Sequence, residues 1–269
     1  MPDNENTLSN ADKHEFAFFL ENLSAITKPI TIDFNKKNRE LKITDKDLMH
    51  RLLNIVRLEI GESFIIFDQK NNISCTLTGI EKKKSITVEI LDTNINNDIK
   101  PKINLLVPIL KRENFESVIY SAVELGANKI ITLITEKSQK SFHQERSIKI
   151  LIAAAEQSKN FAFANIDTPL ELIKYLDLNK TNKPENSINI FFDAEGEDPN
   201  EVVKNIKTKL QKNINSNINL MIGPEGDLTE SEKVLLKNHG FIFCKLTPTI
   251  LRSFQAVNVG LGIFRALLA

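Results

Sequence analysis

The stretch Ile103 to Thr135, INLLVPILKRENFESVIYSAVELGANKIITLIT, decides the fold. Ile103 to Leu110 is an almost unbroken apolar run, the pattern of a strand buried on both faces. Phe115, Val118, Ile119 and Ala122 then fall at i, i+3, i+4 and i+7, which predicts a helix, and Gly126 is placed to end it. Lys129 to Thr135 reads as a second strand. The alternation continues outward. Ile148, Leu151, Ile152 and Ala155 repeat the helical spacing, and Ile188 to Asp193 is a strand. Pro199 sits at a first helical position after Asp198, and Val203, Ile206 and Leu210 continue that helix. Ile218 to Ile222 is a strand, Thr229 and Glu232 form a capping-box pattern, and Gly240 ends the helix between them and it. Phe241 to Leu246 is a strand, and Gln255 to Leu268 a last helix with Val257, Leu261, Phe264 and Leu268 on one face. Strands alternating with helices predict a parallel, layered α/β sheet.

Upstream the period is different. Residues 1–12 are polar and read as a tail. Residues 13–99 read as a small β-barrel with one helix. Val56 to Ile60 alternates, Phe64 to Phe67 is continuous, and Ile73 to Leu77 alternates after the turn-forming Asp68 to Asn72, which predicts a hairpin with a long loop. Ile86 to Ile90 alternates again. The helix spans about 45–55, with Leu48, Leu52 and Ile55 on one face and Thr44 as its cap. The polar stretch Asp92 to Lys100 before Pro101 is the boundary, and residues 100–269 form the second domain.

The chain of 269 residues, 41% hydrophobic and 26% charged, is long enough to bury a substantial core. Thirty-five basic residues balance thirty-five acidic ones, which excludes a polybasic coat but not a local basic patch. Its apolar runs are too short to span a bilayer, and the first residues lack a signal core. Cys75 and Cys244 cannot form a disulfide framework or a four-ligand zinc site, and the four histidines are scattered. The reading is a soluble, cytoplasmic protein with no metal and no membrane partner.

Ligands of such sheets collect in loops at the carboxyl ends of strands. Three of these loops are unusual: Asp193-Ala194-Glu195-Gly196-Glu197, Gly223-Pro224-Glu225-Gly226-Asp227, and Thr247-Pro248-Thr249-Ile250-Leu251-Arg252. The second lets backbone approach a ligand closely, yet lacks the Lys-Ser/Thr of a phosphate loop and the three glycines of a dinucleotide site. Its plain alternative is a turn capped by Asp227 and Thr229. In the third, Ile250 and Leu251 either plug the core or wall an adenine or thioether, and Arg252 is a surface residue, a helix-capping misfit or an anion binder. Lys111-Arg112 follow a strand end, while Lys137, Lys140, Arg146 and Lys149 cluster in the next connection. They are either a solvated face or phosphate contacts for a nucleic acid, which Lys82-Lys83-Lys84 would extend.

At these loops the chain resembles the RsmE family of ribosomal RNA uracil-N3 methyltransferases, in the SPOUT superfamily. His50 to Ile66 is similar to its His-x-x-x-x-Val-Leu-Arg-x-x-x-Gly segment, Glu124-Leu125-Gly126 to its Glu-Leu-Gly, and Glu136-Lys137-Ser138 to its Glu-Arg-Ser. Ala155-Glu156-Gln157-Ser158 resembles its Ala-Glu-Gln-Ser, Gly223 to Gly226 its Gly-Pro-Glu-Gly cofactor loop, and Ile250-Leu251-Arg252 its Ile-Leu-Arg. The resemblance implies an N-terminal PUA-like barrel, a SPOUT domain with a deep C-terminal trefoil knot, S-adenosylmethionine as methyl donor and a homodimer. It implies methylation at N3 of a uridine in small-subunit (16S) ribosomal RNA, on assembled small subunits. Arg252 would stabilise the uracil anion. Gly223, Pro224, Glu225, Gly226, Leu246, Thr247, Ile250 and Leu251 would hold the cofactor, and Lys111, Arg112 and Lys137 would contact RNA. The chain departs from the family at four places. Asp227 replaces a second glycine, Thr247 the glycine of a Leu-Gly pair, and Asn160 an arginine, while Ser253-Phe254-Gln255-Ala256 stands for Thr-Glu-Thr-Ala. These departures motivate an alternative: a non-catalytic RNA-binding or subunit-assembly protein on the same fold.

Overall fold

The computed structural model describes residues 15–21, 23, 40–81, 84–181, 187–213 and 216–268. The tail reading at 1–12 and the contribution of Lys82 and Lys83 to a basic strip lie outside these residues. The chain divides into two compact units, 1–96 and 97–269.

In the first unit, β1 (Phe16–Phe19), β2 (Glu40–Ile43), β3 (Ser63–Phe67), β4 (Asn71–Glu81) and β5 (Ser85–Ile95) form one sheet in the order β1-β3-β4-β5-β2. Phe64, Ile66, Ile73, Cys75, Leu77, Ile86 and Val88 point from its strands into one core. Helix α1 (Lys46–His50) is capped by the Asp45 carboxylate, which accepts from the Leu48 N–H at 2.8 Å; the expected cap, Thr44, is one residue too early. The next turn, Arg51–Val56, is π-helical. Its wider turn rotates Ile55 off the buried face that Leu48 and Leu52 share, leaving Ile55 exposed. Arg57 then takes a left-handed φ of 60°, and Val56 to Ile60 is not the expected strand. The hairpin loop is short, because Asp68 Oδ1 accepts from the Lys70 and Asn71 N–H groups, both at 2.7 Å, and Phe67 pairs with Asn72.

The second unit contains β6 (Ile103–Pro108), α2 (Arg112–Glu124), β7 (Lys129–Ile134), α3 (Gln144–Ser158), β8 (Asn165–Ile166), β9 (Leu170–Glu171), α4 (Leu172–Thr181), β10 (Ser187–Glu197), α5 (Pro199–Lys212), β11 (Asn217–Met221), α6 (Glu230–Asn238), β12 (Ile242–Cys244) and α7 (Ser253–Leu268). The sheet runs β12-β10-β11-β6-β7-β8, with β9 also on β7, and these pairings are parallel. Leu106, Phe191 and Met221 share one core with Leu172 and Tyr175 of α4 and Leu236 of α6. On the opposite face, Phe192 meets α7: a Cβ added at Gly260 would lie 2.3 Å from its ring. The Asn104, Asn219 and Asn189 side chains form a ladder across β6, β11 and β10, at 2.9 and 2.7 Å. The three residues are register partners, so a one-residue slip would break the ladder and bury amides without partners.

Candidate functional site

Because β6, β10, β11 and β12 are parallel, the loops after them open at one edge of the sheet. The Gly223–Asp227 loop after β11 is held from three directions. Glu225 Oε1 accepts from the Lys111 N–H at 2.8 Å and from Asn114 Nδ2 at 2.9 Å, which sets a carboxylate at the positive end of α2. Lys137 Nζ donates to the Gly226 carbonyl at 2.9 Å, and its stem lies 3.3 Å from where a Cβ on Gly226 would stand. Ser253 Oγ donates to the Gly223 carbonyl at 3.0 Å and ties the start of α7 to the same loop. Asn114 and Ser253 were not legible as site residues, since a single hydroxyl or amide at a helix start has no pattern of its own.

Asp227 sits at φ 58°, the left-handed region that glycine adopts most readily. Aspartate tolerates this conformation, and its side chain is used: Oδ1 accepts from the Leu228 N–H at 2.7 Å and Oδ2 pairs with Lys233 Nζ at 2.7 Å. Lys233 also reaches Asp193, at 2.9 Å; residues 193–197, expected as a loop, form the end of β10, so one ammonium joins that strand end to the loop after β11. The Asp193 side chain is 8% exposed and that of Lys233 18%, against 57% for Asp227. Burial pushes the Asp193 carboxyl up, but hydrogen bonds from Lys233 and the Glu195 N–H outweigh it and hold the group below its ordinary value. Burial pushes Lys233 down, and the two carboxylates more than reverse it. Lys233 carried no sequence signal beyond its place in the helix that Thr229 and Glu232 cap.

The third loop is aimed by a close backbone contact. A Cβ at Gly196 would lie 2.4 Å from the Cys244 nitrogen, so only glycine lets the irregular end of β10 pack this closely on β12. Glu197 O accepts from the Lys245 N–H at 2.8 Å. Leu246, Thr247 and Leu251 are half-buried, and Thr247 Oγ1 donates to the Thr249 carbonyl at 2.7 Å. Ile250 is 88% exposed, which excludes the core-plug reading for that residue. Arg252 is exposed, and among the described residues no hydrogen bond or ion pair engages its guanidinium.

The sequence cluster of cations is divided. Lys137 is engaged with the Gly226 carbonyl, whereas Arg112 and Arg146 both hold Glu116. The Arg146 hydrogen bond, with that of Arg112, brings the Glu116 carboxyl down to about 2 despite partial burial. Asn160 donates to the Val123 carbonyl at 2.8 Å, fastening the end of α3 to that of α2. Burial, the leading cause, pushes the Cys75 and Cys244 thiols up to about 12, which suits packing rather than nucleophilic roles.

The edge thus combines backbone groups of the Gly223–Asp227 turn and the Thr247–Arg252 loop, an exposed isoleucine beside a half-buried leucine, and an unengaged arginine. Such a set fits a ligand with an apolar, thioether-bearing part and a polar end, next to a centre that develops negative charge.

Residues 98–265 match the profile of the RNA methyltransferase domain family. The chain is 31% identical over 226 residues to ribosomal RNA small subunit methyltransferase E of Mesomycoplasma hyopneumoniae, covering 80% of this chain and 88% of that one. It is 24% identical over 231 residues to the protein of the same name from Rickettsia conorii, covering 86% of each. In three dimensions it is similar to ribosomal RNA small subunit methyltransferase E from Neisseria gonorrhoeae bound to S-adenosyl methionine. That similarity has a TM-score of 0.75 at 22% identity, over 94% of this chain and 98% of the other.

Proposed function

The chain belongs to the RNA methyltransferase family that includes ribosomal RNA small subunit methyltransferase E, and on that premise we propose that it methylates N3 of a uridine in small-subunit ribosomal RNA. It is an S-adenosylmethionine-dependent enzyme acting in the cytoplasm, on assembled small subunits, as a homodimer. Its first unit serves as a PUA-like RNA-binding barrel and its second as a trefoil-knotted SPOUT domain.

S-adenosylmethionine supplies an electrophilic methyl group. Backbone groups of Gly223, Gly226, Leu246 and Ile250 would hold it, with buried Pro224 stiffening the turn and Leu251 lining the pocket. Uracil N3 bears a proton and is not nucleophilic until the proton leaves. The protein must therefore stabilise an anion and fix its approach. Arg252 is the residue for that charge, because its guanidinium is exposed beside the two loops and unengaged among the described residues. That availability, next to a loop whose own carboxylate caps α2, is the single observation that supports the catalytic assignment.

The test is transfer of labelled methyl from S-adenosylmethionine to small subunits lacking the modification, with a competent enzyme as substrate control. Label at N3 of one uridine is expected, as is its loss in Arg252→Ala with the thermal melt unchanged. Absence of both label and cofactor binding, with the control active, would leave the non-catalytic RNA binder.

A further inference from the structure

Beside α2 lies a cavity of about 140 Å³, roughly ten times what one water molecule needs. Its floor is Leu110 and Phe115, both buried. Two helices begin at its rim, α2 after Lys111 and α3 after His143, and neither N-cap side chain closes its own helix end. Lys111, Arg112 and Arg146 line it against one carboxylate, Glu116, three cationic side chains to one anionic. Arg112 Nε donates to Glu116 Oε1 at 2.9 Å, and Arg146 grips both carboxylate oxygens, with Nη2 to Oε2 at 2.9 Å. A two-pronged grip of this kind suits a phosphate as well as a carboxylate. The Lys111 N–H is bonded to Glu225 of the Gly223–Asp227 loop, so the cavity adjoins the candidate cofactor site.

We propose that this cavity seats one backbone phosphodiester of the substrate RNA, with Arg146 as its main ligand and Glu116 as the internal carboxylate that the phosphate displaces. The proposal rests on the reading of the chain as an RNA methyltransferase. Both arginine side chains are exposed, so a strand can pass over the rim while one phosphate enters. Seating it would fix the register of the strand against the methyl-transfer loops, a positioning role. Glu116 stays ionised at every working pH, because Arg146 and Arg112 hold its carboxyl at about 2, so it competes with the phosphate constantly.

The experiment uses the full-length protein and its Arg146→Ala, Arg146→Lys and Glu116→Gln variants. A labelled single-stranded fragment of small-subunit RNA is titrated at several salt concentrations, and methyl transfer and S-adenosylmethionine affinity are measured in parallel. Arg146→Ala is expected to weaken RNA binding about tenfold and to lower the log–log salt slope by about 0.7, one phosphate contact. KM for subunits should rise while kcat stays within about twofold. Arg146→Lys, which keeps the charge but not the fork, should fall between. Glu116→Gln should tighten RNA binding, since the competing carboxylate is gone. A merely structural ion pair would make both the Arg146→Ala and the Glu116→Gln variants weaker, and that result, or unchanged salt slopes, overturns the proposal. If inorganic phosphate at matched ionic strength binds through Arg146 while RNA binding ignores Arg146→Ala, the cavity takes free anions and the RNA assignment falls. If wild type transfers no methyl but the opposite-sign pattern persists, the subsite stands and the methyltransferase reading fails.

Discussion

Replacing Lys233 by methionine keeps most of the apolar stem and removes the charge that joins the end of β10 to the loop after β11. Asp193, its side chain 8% exposed, would keep the Glu195 N–H, at 2.8 Å, and the charge of Lys237 without a direct ion pair. Breaking a fully buried ion pair costs about 3–5 kcal/mol. The partial exposure of Lys233 lowers this to about 2–3 kcal/mol, and the exposed Asp227 arm adds at most about 1 kcal/mol. The expected loss at neutral pH is about 3 kcal/mol, read as ΔΔG of urea unfolding by far-UV circular dichroism.

The pH dependence has a definite sign. In the wild type the folded Asp193 carboxyl lies below its unfolded value of 3.8, so its stabilisation is complete above that pH and is lost as pH falls through the folded value. Lys233 is shifted above 10.5, so its stabilisation is complete below that pH and is lost on the alkaline side. In Lys233→Met the burial that raises Asp193 is no longer outweighed by a cation. The penalty therefore appears as pH rises above about 4 and shrinks as pH falls towards it. A ΔΔG below about 1 kcal/mol at neutral pH, or one equally large near pH 4, refutes the clasp.

Gly196→Ala should destabilise the second unit by about 3 kcal/mol or more, because its Cβ meets the Phe243–Cys244 backbone rather than a movable side chain; thermal melting checks this, and S-adenosylmethionine affinity should fall with it. Asp227→Gly should change stability by less than about 0.5 kcal/mol, trading an exposed ion-pair arm against relief of a left-handed φ, whereas Asp227→Val should cost about 1–2 kcal/mol or more in the same urea titration. Thr229→Val removes the hydroxyl that accepts from the Glu232 N–H in the capping box and should cost about 1 kcal/mol, seen as a lower denaturation midpoint.

Much of the second unit was legible because its central strands β6 and β11 are buried on both faces and its helices on one. The runs at 103–108 and 217–221 and the helical spacings of α2, α3 and α7 announce themselves, and Asp198-Pro199 and the Thr229–Glu232 box mark helix starts by local chemistry. Helix α4 was not read, because β9 and α4 join without a break at Leu170–Thr181 and no cap separates the periods. In the first unit, alternation at Val56 to Ile60 looked like a strand, yet a π-helical turn and a left-handed Arg57 occupy it. Periodicity reports which side chains alternate, not whether a hydrogen-bonding partner strand is available. The candidate site was legible as loops and not as contacts. Glu225 at α2, Lys233 between two aspartates, and Glu116 between two arginines all join residues that are distant in sequence or unremarkable within a helix.

Three of the residues that depart from the family pattern have specific bonding. Asp227 keeps the left-handed backbone that a glycine would supply and gains Lys233 as a partner. Asn160 stands for an arginine and donates to the carbonyl of Val123. Thr247 stands for a glycine and closes its own turn on the Thr249 carbonyl. Asp227 and Thr247 lie at the candidate edge with their polar atoms paired, whereas Asn160 ties the ends of α3 and α2 together near the start of β6, at the opposite end of the sheet. The loops therefore retain a defined geometry through a different set of bonds, one of which is ionic. A cofactor site held this way should weaken as the Asp193–Lys233–Asp227 link is titrated or screened by salt. Because Asp193 and Lys233 are shielded and Asp227 is not, salt should act first on the Asp227 arm, loosening the Gly223–Asp227 loop before the end of β10.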